Sequence, residues 1–280
     1  MSSALQRHAS LMNAANVPRV SVGGLPLAVI DRRDSARLMI GTALARRGSG
    51  EPPMIFTSAN GQVISMCARD PQLRALFLSA DLIHADGTPL VFASRLKCRT
   101  PLPERVATTD LFHDVAPVAE TCGATFFLLG AAPDVIALAA QNVRQRYPRL
   151  QIAGFRHGYF SAEDEEQIVA EINAVRPDIL WIGMGVPHEQ RFSLSHRDRL
   201  TNVGVIKTSG GLFDFLSGRN TRAPMWMQSA GLEWLYRLIL EPKRLFRRYL
   251  TTNPHALYLL LTDGSQPWKH APTLPPRDRS

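Results

Sequence analysis

Short runs that are apolar throughout recur along the chain, and each is delivered onto a small or polar turn. Met54-Ile55-Phe56-Thr57 runs into Ser58-Ala59-Asn60-Gly61, Leu82-Ile83-His84-Ala85 into Asp86-Gly87, and Ala124 to Leu129 onto Gly130. Leu150 to Phe155 gives another run, Asp178 to Met184 ends at Gly183-Met184-Gly185, and Val203 to Thr208 ends at Ser209-Gly210-Gly211. Continuous rather than alternating apolarity is what strands covered on both faces require. Between these runs the apolar period lengthens to that of a helix. Val63, Met66 and Cys67 form one such face, and Leu73, Leu76 and Phe77 follow the cap and first-residue pair Asp70-Pro71. Ile136, Ala140, Val143 and Tyr147 follow Pro133-Asp134; Ile168, Ile172 and Val175 follow a Ser161 cap with Glu163, Asp164, Glu165 and Glu166 in the first turn. Asp34 is expected to cap a helix running to Gly48-Ser49-Gly50, and a later helix is expected to be capped near Thr109 and disturbed at Pro117. Val20 to Ile30 reads as an edge hairpin turning at Gly23-Gly24. This alternation predicts an α/β fold, a Rossmann-like, mostly parallel sheet with helices on both faces.

The texture changes at Arg219. Leu232, Leu235 and Ile239 give an amphipathic face, Pro242 is expected to break that helix, Leu245 to Leu250 starts a second basic and apolar piece, and Ala256 to Leu261 is suited to lying in a membrane surface. The expected division is a flexible leader over 1–18, an α/β domain over 19–218, a basic amphipathic helical C-terminal appendage over 219–262 and a disordered tail over 263–280. No segment approaches the roughly 20 apolar residues needed to cross a bilayer, and the N-terminus lacks the apolar core of a secretion signal. The formal net charge is +8, and Arg219, Arg222, Arg237, Lys243, Arg244, Arg247 and Arg248 crowd into this late stretch. Such a patch suits phosphate or an anionic membrane. Its apolar interleaving favours membrane over nucleic acid. Cys67, Cys98 and Cys122 are widely spaced and form no metal or disulfide pattern, which fits a reducing cytoplasm.

In a parallel sheet the carboxyl ends of the strands share one edge, where ligands collect. Asp86 stands at such an end, although Asp-Gly is also a common turn pair. Gly130, Gly183 with Gly185, and Gly210-Gly211 suit close backbone approach to a phosphate. There is no GxGxxG and no GxxxxGKS. His188-Glu189 begins like HExxH but Phe192 stands where the second histidine belongs, and there is no Asp-x-Asp pair, so no metal is expected. A G-x-S-x-G elbow is also absent. From position alone Asp110 reads first as a helix-start acid and Asp214 as a loop acid, while Tyr159 reads either as a packing or as a base-stacking ring.

Together the segments resemble the WecG/TagA/CpsF glycosyltransferases, glycosyltransferase family 26, over roughly Val20 to Leu250. The resemblance is carried by Ser58-Ala59-Asn60, Ala80-Asp81 with Asp86-Gly87, Pro103-Glu104-Arg105-Val106 with Asp110, Leu128-Leu129-Gly130 and His157-Gly158-Tyr159-Phe160. It continues through Gly185-Val186-Pro187, Gly210 to Asp214, Arg222-Ala223-Pro224 and Gly231 to Arg237 with Glu241-Pro242. It implies a metal-independent, cofactor-free inverting enzyme, peripheral at the cytoplasmic face of the inner membrane. Such an enzyme passes a hexose or N-acetylhexosamine from a UDP-sugar donor to a polyprenyl-diphosphate-linked sugar acceptor, here undecaprenyl, in surface polysaccharide synthesis. The resemblance implies Asp86 as general base with Asn60 beside it, Ser58, Gly130, Tyr159, Gly185, Glu189 and Asp214 around the donor, and Arg237, Arg244 and Arg247 at the acceptor diphosphate. Three departures stand out. The family's Gly-x-Pro-Lys-Gln-Glu is here Gly185-Val186-Pro187-His188-Glu189-Gln190, Thr108 replaces a motif glycine, and Ser58 replaces a frequent threonine. The first leaves N-acetylmannosamine and glucose both open as the sugar. A nucleotide- or polyanion-binding regulatory protein without catalysis is the alternative from another class. Partners other than substrates and the membrane surface reduce to a homo-oligomer, which the sheet and appendage permit.

Overall fold

The computed structural model describes residues 14–224, 226–227, 231–240 and 242–262, apart from the side chains of 244, 247 and 248. Two short strands, β1 (Arg19–Val22) and β2 (Leu25–Ala28), form the expected antiparallel hairpin. The remaining strands are β3 (Met54–Ala59), β4 (Leu82–Ala85), β5 (Thr125–Gly130), β6 (Gln151–Arg156), β7 (Ile179–Gly183) and β8 (Val205–Thr208). They make one sheet in the order β4-β3-β8-β7-β5-β6, with every neighbour parallel. The fold class expected from the apolar runs is therefore the observed one.

The helices are α1 (Arg32–Arg46), α2 (Gly61–Arg69), α3 (Pro71–Leu78), α4 (Thr88–Lys97), α5 (Thr108–Cys122), α6 (Pro133–Arg146), α7 (Glu165–Val175), α8 (His188–His196), α9 (Leu212–Leu216), α10 (Glu233–Leu240) and α11 (Pro242–Thr262). Period-two alternation sorts each central strand between the two faces. Phe126, Leu128, Ile179 and Trp181 join Met39, Phe112, Ile136 and Phe213 on one side. Phe127, Leu129, Leu180, Ile182 and Ile206 join Ile64, Phe77, Leu90, Ile168 and Phe192 on the other. Both layers are buried, which is why these strands carry no polar alternation.

Two acids fasten the amino edge of the sheet. Asp178 accepts from Arg47 Nε at 2.7 Å, from the Thr125 amide at 2.7 Å and from Thr125 Oγ1 at 3.0 Å. Asp81 accepts from the Ile55 amide and from Arg197, both at 2.7 Å. The opposite, carboxyl edge is left for ligands.

Several local expectations are corrected. Asp31, not Asp34, caps α1, its carboxylate accepting from the Asp34 amide at 2.7 Å. Ala107 precedes α5, so Thr108 is its first residue rather than Thr109 its cap. Helix α5 continues through Pro117 because that residue lies on the exposed face, where the carbonyl it leaves unbonded can reach water. Val175 is exposed at the end of α7 rather than packed. Pro242 opens α11 instead of merely ending α10, and the two expected C-terminal pieces are one helix of 21 residues that passes through exposed Pro254. Of α10, no residue is buried, and Ile239 of its expected apolar face is exposed. Residues 1–13 of the expected leader and the expected tail at 263–280 lie outside the described residues, whereas Ala14 and Val17 pack in the core.

Candidate active site

Strand β4 ends at Ala85, and the next backbone groups are tied to neighbours on both sides. The Asp86 amide donates to the Ala59 carbonyl at 2.8 Å and the Val106 amide to the Ala85 carbonyl at 2.8 Å. Asp86 is thus pinned between the end of β3 and the loop entering α5. Gly87 does not make the hairpin turn its pairing with Asp suggests: its φ is −177°, extended, and it stands just ahead of α4. A Cβ there would lie 3.3 Å from Leu90 Cδ1 and 3.7 Å from Asn60, so Gly87 runs close beside the end of β3. Asn60 caps α2, its Oδ1 accepting from the Val63 amide at 3.1 Å.

The Asp86 carboxylate faces the first residue of α5. Its Oδ2 accepts from the Thr108 amide and from Thr108 Oγ1, both at 3.3 Å. Thr108 Oγ1 lies 3.2 Å from Ser58 Oγ, and Ser58 Oγ accepts from Lys207 Nζ at 2.8 Å. Lys207 is fully buried and also donates to the Thr208 carbonyl at 2.8 Å. Burial pushes the Asp86 carboxyl above the ordinary carboxylate range, against the pull of Arg105, the Thr108 amide and Lys207. Burial pulls the Lys207 ammonium down to about 8, with Asp86 and Glu189 holding it up. Thr108 occupies the position where a motif glycine was expected, so this departure supplies a hydroxyl to the acid. Lys207 was missed by sequence reasoning; its signal was a lone charge inside the apolar run Val203 to Thr208, where charges are rarely found without a partner.

Along the same edge, Glu189 in the first turn of α8 clamps two turns. Its Oε2 accepts from the amides of Met184, Gly185 and Gly210 at 3.3, 3.2 and 2.9 Å. Burial pushes this carboxyl up as well, opposed by the Gly210 amide and Lys207. Gln190 beside it donates to Thr57 Oγ1 at 3.4 Å, and Thr208 Oγ1 meets Thr57 Oγ1 at 2.7 Å. The exchanged acid and amide of this motif therefore take different partners: the acid holds backbone, the amide side chains.

The glycines divide into two kinds. A Cβ on Gly130 would lie 2.2 Å from the Gly183 carbonyl oxygen, so Gly130 serves the approach of β5 to β7. Gly185 and Gly210, at φ of +76° and +55°, have open space where a Cβ would be. These two turns leave β7 and β8, three and two strand spacings from β4, about 14 and 10 Å. Asp214 in α9 has a half-buried carboxylate with no hydrogen bond or ion pair among the described residues. Tyr159 follows the outermost strand, β6, and is 75% exposed, so its ring is available for stacking rather than packed.

A cleft of 670 Å³ has a lining that includes Thr88, Phe92, Arg105, Asp110, Phe215 and Arg222, but not Asp86 itself. Asp110 accepts from Arg222 at 2.8 Å, and Glu233 of α10 pairs with both Arg105 at 2.6 Å and Arg222 at 3.0 Å. Burial alone would raise Asp110, but Arg222, Arg105 and Arg32 hold it below its usual value. Arg237 lies with its guanidinium 5.4 Å from the Phe215 ring centre, at the wall of this cleft. The side chains of Arg244 and Arg247 lie outside the described residues. Among the described residues no group of three His, Cys, Asp or Glu side chains is placed to hold a metal ion, and no helix is long and apolar enough to cross a membrane.

The family model described as "Glycosyl transferase WecG/TagA/CpsF family" matches residues 20–270. Among similar proteins is an N-acetylglucosaminyldiphosphoundecaprenol N-acetyl-beta-D-mannosaminyltransferase of Bacillus subtilis (strain 168), 32% identical over 74% of this chain and 78% of its own. Proteins with the same name from Bacillus spizizenii and Staphylococcus aureus (strain NCTC 8325 / PS 47) are 34% and 30% identical. They cover 70% and 69% of this chain, and 74% and 75% of their own.

Proposed function

Because the chain belongs to the WecG/TagA/CpsF glycosyltransferase family, we propose that it moves a hexose or N-acetylhexosamine from a UDP-sugar to an undecaprenyl-diphosphate-linked sugar, with inversion, in bacterial surface polysaccharide synthesis. The observation that carries this reading is the carboxylate of Asp86, raised by burial and fixed by two donors at the open edge of the sheet. Asp86 takes the proton of the acceptor hydroxyl as that oxygen bonds to the sugar's C1. The C1–O bond to UDP breaks on the opposite face, and UDP leaves with both bonding electrons.

Leaving-group charge is met by backbone amides at the Gly185 and Gly210 turns and by arginines. The span from β4 to these turns suits a sugar diphosphate, with Asp214 and exposed Tyr159 left for the nucleoside. The acceptor lies in the cleft beside Arg105 and Arg222, and its diphosphate meets Arg237, Arg244 and Arg247. The relatives named for an N-acetylmannosamine transfer make that sugar the first donor to try, with glucose second.

The membrane supplies the acceptor at its cytoplasmic face, where the protein sits peripherally. Trp226, Ile239, Phe246, Leu250, Leu257, Tyr258 and Leu261 are all exposed, while Leu245, Ala256 and Leu260 of the same C-terminal region are buried. Helix α11 packs on α2, and His255 Nδ1 lies 2.9 Å from Ser65 Oγ. The outer face is thus apolar, as a surface-lying helix needs. Release of UDP, measured with a panel of UDP-sugars and a short-chain lipid-diphosphate sugar, tests the reading. No release with any pair would overturn it.

A further inference from the structure

Lysine can only donate hydrogen bonds. Since Lys207 Nζ donates to Ser58 Oγ, that oxygen is an acceptor there and its single proton is free to point at Thr108 Oγ1, 3.2 Å away. Thr108 Oγ1 then accepts from Ser58, and its own proton goes to Asp86 Oδ2 at 3.3 Å. The direction of the whole chain is set at its buried end. No other assignment satisfies all three contacts while the ammonium is charged and Asp86 is ionised.

Resting on the reading of Asp86 as base, we propose that Lys207 is a positioning residue: its buried ammonium fixes the direction of the Ser58–Thr108 hydroxyl pair, so that both hydroxyl protons point toward the Asp86 carboxylate. This leaves Oδ1 as the oxygen facing the acceptor hydroxyl. It also places one compensating cation beneath two buried acids, Asp86 and Glu189, which would otherwise favour their neutral forms.

The charged and titratable groups around this chain come from every element packed on it. His84 on β4 is fully buried, and burial and the nearby ammonium keep it neutral. Glu189 approaches from α8, Arg105 from the loop before α5 and Glu233 from α10. Of these, Lys207 alone both touches Ser58 and interacts with both acids.

The test compares Lys207→Met, Lys207→Arg, Ser58→Ala and Ser58→Thr with the unaltered chain. Two readouts are used: UDP release, and titration of the Asp86 carboxyl carbon by NMR, assigned by its absence in Asp86→Asn. Lys207→Met and Ser58→Ala should each lower kcat about tenfold or more, the scale of one misdirected hydrogen bond, with KM for the UDP-sugar held within about twofold in Lys207→Met. Both should move the Asp86 midpoint upward. Ser58→Thr, which keeps the hydroxyl, should retain kcat and the midpoint, and Lys207→Arg should hold the midpoint nearer the unaltered value than Lys207→Met does. An unmoved midpoint and unchanged kcat in folded Lys207→Met overturns the proposal. If that variant does not fold, the same result in Ser58→Ala overturns it. If the unaltered chain releases no UDP, the functional reading fails and the titration still decides the role of Lys207.

Discussion

Glu189 offers a measurement in which charge and hydrogen bonding separate. Its Oε2 collects the amides of Met184, Gly185 and Gly210, and its Oε1 the amide of Gln190 at 3.3 Å. In Glu189→Ala three backbone donors lose their acceptor. At about 1 kcal/mol for each of these rather long bonds, and about 1 kcal/mol more for the side-chain space left behind, the loss is roughly 4 kcal/mol. In Glu189→Gln the amide oxygen can stay under the three donors while its NH2 turns to Gln190. The Oε1 of Gln190 is buried without a partner and can accept it if that amide rotates. The expected cost is below about 1 kcal/mol.

The sign of the pH dependence follows from burial. Because the folded Glu189 carboxyl titrates above its unfolded value, its contribution is fully present below the unfolded pKa and is lost as pH rises through the folded one. Glu189→Gln should therefore gain on the unaltered protein as pH rises through that point. Urea unfolding followed by circular dichroism, at mildly acidic and mildly alkaline pH, measures both effects. Equal losses for Ala and Gln would refute the claim that one oxygen clamps the two turns.

Three further outcomes are expected. Asp86→Asn should lower kcat by about 10²- to 10⁴-fold while calorimetry shows UDP binding unchanged, since the amide oxygen can still accept from Thr108; turnover within tenfold would remove Asp86 from the role of base. Phe246→Glu with Leu250→Glu should weaken sedimentation with anionic vesicles by tenfold or more and leave thermal unfolding unchanged, because both side chains are exposed; undiminished vesicle binding would remove this face from the membrane contact. Turnover should persist in EDTA, because amides and arginines meet the leaving group; a reversible loss restored by added metal would contradict this.

What the chain declares in advance is set by neighbours close in sequence. The apolar runs identified β3, β4, β5, β7 and β8 because a strand buried on both faces has no room for alternation, and Asp70-Pro71 announced α3 because cap and first residue are adjacent. Asp31 and Asp34 both have the chemistry of a cap, and only the geometry of the chain entering α1 selects the first. Contacts across long separations stay hidden. The union of Glu233 with Arg105 joins a helix to a loop far from it in sequence, and that of Lys207 with Ser58 joins residues brought together only by strand order. Within the candidate site, Asp86, Asn60 and Gly185 were legible as residues following strands, whereas Ser58, expected in the turn, lies within β3. The packing role of Gly130 was not, because it depends on how tightly β5 presses on β7.

The position of β8 has a consequence for how the molecule is made. Strands β3 and β4 pair with each other, as do β5, β6 and β7, but these two half-sheets meet only through β8, which enters between β3 and β7. Met54 waits for Val205 as its partner. During synthesis both halves carry an open strand edge until most of the chain has emerged, a slow and aggregation-exposed stage for parallel pairing. The last strand to arrive brings Lys207 with it, so the acid on the first half cannot acquire its buried counter-charge before the sheet is closed.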